Sequence, residues 1–154
     1  MAFLKGQNVL GGILAQMASV MDGVDGDLAR LKGMSSPFGA FFDAVLDRYA
    51  DAAVVLGMTW WAAQGKENYF VWIMGLTALI GSFMVSYSWA RAEASLRPHD
   101  DIPFLSRLAG RDFRLFLIML GGLSGAGFWT LLVLSFITHL TVLLRIIYFA
   151  KRAS

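Results

Sequence analysis

Four aspartates in the first third of the chain are spaced as two pairs that could bind metal ions. Asp22 and Asp25 are three residues apart, and Asp43 and Asp47 are four apart. In a helix, each pair projects from one face. Four carboxylates that meet at one place repel one another unless cations lie between them. Because the ligands are oxygens, with no histidine or cysteine nearby, they favour Mg²⁺ or Mn²⁺, and four carboxylates suit two such ions. The spacing predicts a site for two divalent cations and a phosphoryl-type displacement.

Small residues and one arginine lie on or beside the same helix faces. Gly23, Gly26, Ala29 and Gly39 have little or no side chain, so a flat ligand can approach the backbone there. Arg30 is placed to neutralise a phosphate group that the cations hold. Together these residues indicate a site for a nucleotide diphosphate.

The rest of the chain is apolar enough for a membrane protein. Hydrophobic residues make up 57% of the 154 residues, and the mean hydropathy is +0.60, whereas soluble domains contain about 45–50% apolar residues. Because a spanning helix needs about 20 apolar residues, residues 1–154 allow one domain of several such helices. The absence of cysteine excludes disulfide scaffolds, thiolate metal sites and cysteine nucleophiles.

Apolar runs predict five helices. They are expected at 7–21, 41–63, 69–90, 113–125 and 127–149. The fourth is short for a span, and Pro37 is expected in the first turn of the helix that follows the loop. Because a short loop joins the first two helices, we expect them to pack as antiparallel neighbours and to bring the four carboxylates into one cluster. The predicted fold is an all-α, polytopic transmembrane helix bundle.

Lysine and arginine are distributed unevenly along the chain. If the five helices alternate in direction, all of the 13 basic residues except Lys5 and Lys66 fall on one side. Since basic residues favour the cytoplasmic side, we expect the acidic motif, the arginine-rich segment 91–114 and the C-terminus to face the cytoplasm. The N-terminus would then lie outside, which suggests that one spanning helix is missing upstream.

The acidic stretch as a whole carries a family signature. The pattern Asp22-x2-Asp25-Gly26-x2-Ala29-Arg30-x8-Gly39-x3-Asp43-x3-Asp47 resembles, position by position, that of the CDP-alcohol phosphotransferase family. The resemblance implies a six-helix membrane bundle, usually a homodimer, in which the five helices of this chain correspond to the second to sixth. It also implies the transfer of a phosphoalcohol from a CDP-alcohol to an acceptor hydroxyl, with release of CMP.

The resemblance also implies a role for each matching residue. The four aspartates correspond to the ligands of two divalent cations, Mg²⁺ or Mn²⁺, and Asp47 corresponds in addition to the base that deprotonates the acceptor. The residues that would hold the CDP moiety are Gly23, Gly26, Ala29, Arg30 and Gly39.

Two further segments, 86–95 and 110–114, resemble the branch of the family that uses inositol phosphates. This branch contains phosphatidylinositol phosphate synthases and di-myo-inositol phosphate phosphate synthases, and an arginine cluster binds the acceptor's phosphate there. Arg91, Arg111 and Arg114 are the matching candidates, although Trp89 stands where a basic residue is common in some relatives. The expected partners are a CDP-alcohol donor, a phosphorylated alcohol acceptor, membrane lipid and a fused or separate cytidylyltransferase, and no nucleic acid.

Several alternatives stay open at this point. The donor could be CDP-diacylglycerol, CDP-archaeol or CDP-inositol, and the acceptor could be glycerol 3-phosphate, as in a phosphatidylglycerol phosphate synthase. A cation carrier or channel would also use acidic residues, but it would not need Gly26, Ala29 and Arg30 at their spacing. A non-catalytic assembly subunit is the third class. For the arginines of segment 91–114, the positive-inside bias alone is a competing explanation.

Overall fold

The computed structural model describes residues 2–3, 6–31, 36–64, 69–96 and 109–153, and the side chains of these residues except 22, 25–27, 29–30, 95–96 and 152–153. This part of the chain contains five α-helices. They are α1 (Asn8–Leu31), α2 (Pro37–Ala63), α3 (Tyr69–Leu96), α4 (Arg111–Ser124) and α5 (Gly127–Ala153). The predicted all-α fold and the order of its helices are confirmed.

The helix ends near the acidic motif differ from the expected ones. The first helix continues ten residues beyond the predicted end at 21, and the second begins at Pro37 rather than at 41. The helix α1 continues beyond its apolar run because the residues that follow, such as Leu28, include some with a high helix propensity. Charged residues therefore end the apolar run but not the helix. All eight positions of the motif therefore lie on helices, at the end of α1 and the start of α2.

Local interactions define two helix boundaries, the start of α2 and the end of α4. The side chain of Ser36 caps α2 by accepting a hydrogen bond of 3.0 Å from the Gly39 N–H, and Pro37 follows in the first turn, as predicted. Between α4 and α5, Gly125 adopts a left-handed conformation with φ of 71°, which favours glycine. The boundary between the helices predicted at 113–125 and 127–149 is therefore a helix C-cap and a tight turn.

The helices do not pack in the order of the chain. The most extensive helix–helix interfaces join α1 to α4 and α3 to α5, whereas α1 and α2 share only a small interface. The antiparallel pairing of α1 with α4 is fixed at its two ends, where Asn8 donates to the Gly122 carbonyl at 2.8 Å and Ser19 donates to Asp112 at 2.6 Å. The expected side-by-side packing of the first two helices is therefore limited, because α4 takes the place beside α1.

A core of apolar side chains lies between these helices. Its members include Met58 of α2, Ala78 of α3, Ile118 of α4 and Leu134 of α5, each at most 1% exposed. Small residues let the backbones approach. At Gly81, for example, a Cβ atom would overlap the hydroxyl oxygen of Thr138 on α5.

Among the described residues, two helices contain a stretch long and apolar enough to cross a membrane, Tyr69–Ala94 and Gly127–Lys151. Large apolar side chains are also exposed on the bundle surface, for example Phe41, Ile80 and Phe136. The chain is a polytopic membrane helix bundle, and these surfaces are suited to contact with lipid.

The alternating helix directions bring one set of helix ends together. The contacts of Asp51 with Arg114 and of Arg48 with Ser86 join the middle of α2 to the first turn of α4 and to the C-terminal half of α3, so the start of α2 lies on the same side of the bundle as the start of α4 and the end of α3. We call this the motif end of the bundle. The basic groups of α2, α3, α4 and α5 lie here, as predicted, and the side of the membrane that it faces stays a prediction.

Candidate active site

The α1 half of the motif lies in the last three turns of that helix. Asp22, Asp25, Gly26, Ala29 and Arg30 belong to α1, and their side chains lie outside the described part of the structure. The backbone beside them is open at Gly23, where an added Cβ would meet no described atom within 4 Å. A ligand can therefore approach the helix surface closely at this position.

The α2 half of the motif occupies the first three turns of α2. Gly39 donates its N–H to Ser36, and a Cβ at this glycine would lie 3.0 Å from the same hydroxyl oxygen. Asp43, one turn later, is exposed, and no contact within the described residues engages its carboxylate. The next carboxylate on this face, Asp47, is different, because its side chain is only 18% exposed and forms an ion pair of 2.8 Å with Arg111 of α4.

A third carboxylate of the same helix face is the centre of a buried ion-pair network. The side chain of Asp51 is 4% exposed. One of its oxygens accepts from Arg114 at 2.6 Å and from Arg48 at 3.4 Å, and the other accepts from Arg111 at 3.3 Å. A buried carboxylate is costly unless it is paired and hydrogen-bonded, and here three guanidinium groups compensate it.

The arginines of this network tie three helices together. Arg114 also donates to the Ala109 carbonyl at 2.8 Å, which fixes the segment just before α4. Arg48 donates to Ser86 of α3 at 2.8 Å. The hydrogen bond from Ser19 to Asp112 adds α1, so the first turn of α4 contacts both helices that carry the motif.

The predicted acceptor-binding arginines occupy different environments. Arg111 and Arg114 lie together in the first turn of α4, with side chains 17% and 4% exposed. Arg91 is exposed near the end of α3 and does not join the Asp51 network. Their assignment to the acceptor's phosphate stays a prediction, and Arg111 has the more accessible guanidinium of the two in the network.

Sequence reasoning assigned no site role to Asp51. Its contact with Arg48 lies within α2 and at a buried carboxylate. The signal was present, because Asp43, Asp47 and Asp51 follow one another at intervals of four residues and so share a helix face.

The departure at Trp89 is accompanied by a nearby cation. The guanidinium of Arg145, on α5, lies 5.4 Å from the centre of the Trp89 ring. Arg145 also donates to the Val85 carbonyl and, at 3.1 Å, to the Ser88 hydroxyl. A positive charge therefore lies beside this position although the residue itself is not basic.

The described carboxylates fit a hard divalent cation in their chemistry. Asp43 and Asp47 offer oxygen ligands one helical turn apart, and such ligands suit Mg²⁺ or Mn²⁺. Within the described side chains, no group of three or more histidine, aspartate or glutamate residues is arranged to hold a metal ion. The remaining candidates, Asp22 and Asp25, are outside that set.

Comparison with known proteins identifies a family for most of the chain. The family model described as CDP-alcohol phosphatidyltransferase matches residues 1–103. The matched region contains α1, α2 and α3, and with them every position of the motif between Asp22 and Asp47.

Three curated relatives are similar to most of this chain. A bifunctional IPC transferase and DIPP synthase of Rubrobacter xylanophilus is 47% identical over 117 residues, 76% of this chain and 26% of the relative. A phosphatidylinositol phosphate synthase of Mycobacteroides abscessus is 35% identical over 146 residues, 88% of this chain and 64% of the relative. An archaetidylinositol phosphate synthase of Pyrococcus horikoshii is 34% identical over 141 residues, 90% of this chain and 69% of the relative. The chain thus spans about a quarter of the first and about two thirds of the other two.

Proposed function

Because the chain belongs to the CDP-alcohol phosphatidyltransferase family, we propose that it transfers a phosphoalcohol from a CDP-alcohol to the hydroxyl of an inositol phosphate and releases CMP. The observation that carries this proposal is the complete motif on α1 and α2, with the last motif aspartate in contact with an arginine of α4. Paired carboxylates, open glycine backbone and guanidinium groups are together what a diphosphate donor and a phosphorylated acceptor need.

In this proposal the aspartates hold the cations and one of them handles the proton. Asp22, Asp25, Asp43 and Asp47 would bind two divalent cations, Mg²⁺ or Mn²⁺, which when bound neutralise the diphosphate of the donor. The carboxylate of Asp47 accepts the proton of the acceptor hydroxyl. The hydroxyl oxygen then bonds to the phosphorus that carries the donor's alcohol, and the bond from that phosphorus to the CMP oxygen breaks.

Other motif residues would bind the nucleotide and the acceptor. Gly23, Gly26, Ala29 and Gly39 let the CDP moiety approach the backbone, and Arg30 neutralises its phosphate. The acceptor's phosphate would be bound by an arginine cluster made of Arg91, Arg111 and Arg114. Of these, Arg111 lies in contact with Asp47, so a phosphate bound to it would hold the acceptor hydroxyl near the proposed base.

The names of the relatives support the inositol branch. All three are named as synthases of inositol-containing products or as a DIPP synthase. We propose that residues 1–154 act as one transmembrane transferase domain, with the motif end in the cytoplasm and as part of a homodimer in the lipid bilayer. A cytidylyltransferase, fused or separate, would supply the donor if that donor is CDP-inositol.

The test is CMP release by the purified chain in detergent micelles and in liposomes with Mg²⁺ or Mn²⁺. CDP-diacylglycerol, CDP-archaeol and CDP-inositol are offered in turn with inositol 1-phosphate, inositol, glycerol 3-phosphate or serine. We expect release with inositol 1-phosphate. Preference for glycerol 3-phosphate would move the chain to another branch, and no release with any pair would refute the transferase.

A matched pair of variants separates chemistry from folding. Asp47→Asn should abolish CMP release while the protein still purifies as the same species. Asp112→Asn lies outside the motif and keeps an oxygen that accepts from Ser19, so it should retain activity. If Asp47→Asn retained full activity, the assignment of the base would be wrong. Metal flux into liposomes that survived the substitution would instead support a cation carrier.

A further inference from the structure

One guanidinium group at the motif end contacts two carboxylates at once. Nη1 of Arg111 lies 2.8 Å from Oδ1 of Asp47, and Nε of the same side chain lies 3.3 Å from Oδ1 of Asp51. The first carboxylate belongs to the motif and the second does not. A cation that binds Asp47 must therefore share this carboxylate with Arg111 or replace it.

We propose that Arg111 competes with the divalent cation for Asp47, and that Asp51 is the positioning residue that limits this competition. The inference rests on the proposed function in one respect only, namely that Asp47 is a ligand of a divalent cation. Asp51 acts through Arg111, so it needs no contact with the cation itself.

The geometry of its two contacts would let Arg111 release Asp47 and keep Asp51. Different nitrogen atoms of Arg111 make the two contacts, so the bond to Asp51 does not depend on the bond to Asp47. Asp51 is itself fixed, because Arg114, with a side chain 4% exposed, holds its other oxygen at 2.6 Å. When a cation takes Asp47, the contact with Asp51 would hold Arg111 at the site, beside the position proposed for the acceptor's phosphate.

This arrangement predicts opposite effects on metal affinity from two parts of the same network. Arg111→Gln removes the competitor and should tighten Mn²⁺ binding by about tenfold, since a neighbouring arginine lowers the proton affinity of a carboxylate by at least that factor and opposes a metal cation in the same way. Loss of Asp51 removes one of the two carboxylates that hold Arg111, which strengthens its pairing with Asp47. Mn²⁺ binding should then weaken by about tenfold, which is the usual effect of losing a residue that orients a metal ligand.

The loss of Asp51 has to be tested without changing the net charge or leaving a buried ion unpaired. The variant Asp51→Asn/Arg114→Gln removes one charge of each sign, so general electrostatic effects on the cation nearly cancel. It also avoids a lone buried guanidinium. Addition of Arg111→Gln to this variant should abolish the weakening, because Asp51 is proposed to act only through Arg111.

Binding of Mn²⁺ to the full chain in detergent is measured by electron paramagnetic resonance of the free ion, so the measurement does not depend on turnover. The matched control is Arg48→Gln, which also removes an arginine from Asp51 but does not touch Asp47, and whose side chain is 34% exposed. Because the Arg48 guanidinium is partly exposed and lies 3.4 Å from Asp51, we expect a change within about threefold.

Three results would overturn the inference. They are an Arg111→Gln variant that binds Mn²⁺ no more tightly than the unsubstituted chain, an Asp51→Asn/Arg114→Gln variant that binds it equally well, and a weakening that persists after Arg111→Gln is added. If the unsubstituted chain bound no Mn²⁺, both the inference and the metal site would be wrong. If the affinities changed as expected but no donor released CMP, the inference would stand and the proposed reaction would fall.

Discussion

The ion pair between Asp51 and Arg114 is expected to be a main determinant of stability at the motif end. Both side chains are 4% exposed, and their closest atoms are 2.6 Å apart. Removal of one partner from a buried pair leaves the other as an uncompensated charge, which costs about 3–5 kcal/mol. We predict that Asp51→Asn and Arg114→Gln both destabilise the bundle, but not equally.

The contacts of each residue decide which substitution costs more. Without Arg114, Asp51 keeps Arg111 at 3.3 Å and Arg48 at 3.4 Å. We therefore expect a loss near the lower limit, about 3 kcal/mol. Without Asp51, Arg114 keeps only the Ala109 carbonyl among the described groups that it contacts, and we expect a loss near the upper limit, about 5 kcal/mol.

The assay is unfolding of the detergent-solubilised chain by SDS, and the loss of the helical circular dichroism signal is the readout. The variant with both substitutions should be more stable than Asp51→Asn alone, because no unpaired buried charge remains. Losses below about 1 kcal/mol for both single variants, the range of exposed ion pairs, would refute the reasoning. So would additive losses in the double variant.

Three further predictions concern local packing and capping. Gly81→Ala should lower the free energy of unfolding by about 1–3 kcal/mol because its Cβ would overlap Thr138. Gly23→Ala should leave the free energy of unfolding undiminished and should reduce CMP release, because its Cβ meets no described atom. A stable Gly81→Ala variant, or a Gly23→Ala variant that unfolds more easily but keeps full CMP release, would contradict this. Ser36→Ala removes the cap of α2 and should cost about 1 kcal/mol, with faster hydrogen exchange confined to the first turn, while Ser36→Gly costs a few tenths. Ser19→Ala leaves the bond to Asp112 unmade and should lower stability by about 1.5–3 kcal/mol, and unchanged unfolding would count against that bond.

The helices could be predicted from the sequence, but the packing of α1 could not. Apolar runs give the number and order of the helices because bilayer-spanning segments must be apolar along their length. Apolar runs do not show which helix faces pack against one another. The close contact of α1 with α4 depends on small residues that let two backbones approach, such as Gly12, where a Cβ would lie 2.9 Å from the backbone of Met119. A sequence shows such a glycine but not the helix that it faces.

The helical placement of the motif aspartates could be predicted, and the ion pairs around them could not. A spacing of four residues predicts that Asp43 and Asp47 share a helix face, and α2 contains both. Arg111 and Arg114 could equally follow from the positive-inside bias, so the sequence alone gives them no partner. Burial of Asp51 depends on where α4 begins, which is a property of the packed bundle.

The short helix α4 therefore has a role that its length does not suggest. Its 14 residues give a helix of about 21 Å, less than the roughly 30 Å of a bilayer's hydrocarbon core. Yet its first turn binds α2 through Arg111 and Arg114 and binds α1 through Asp112. Because α1 and α2 touch each other only lightly, the distance between the two halves of the motif is set largely through α4. Any metal site made from both pairs of aspartates is therefore a property of three helices, and substitutions that break the contacts of the first turn of α4 with α1 or α2 should change its geometry without replacing a ligand.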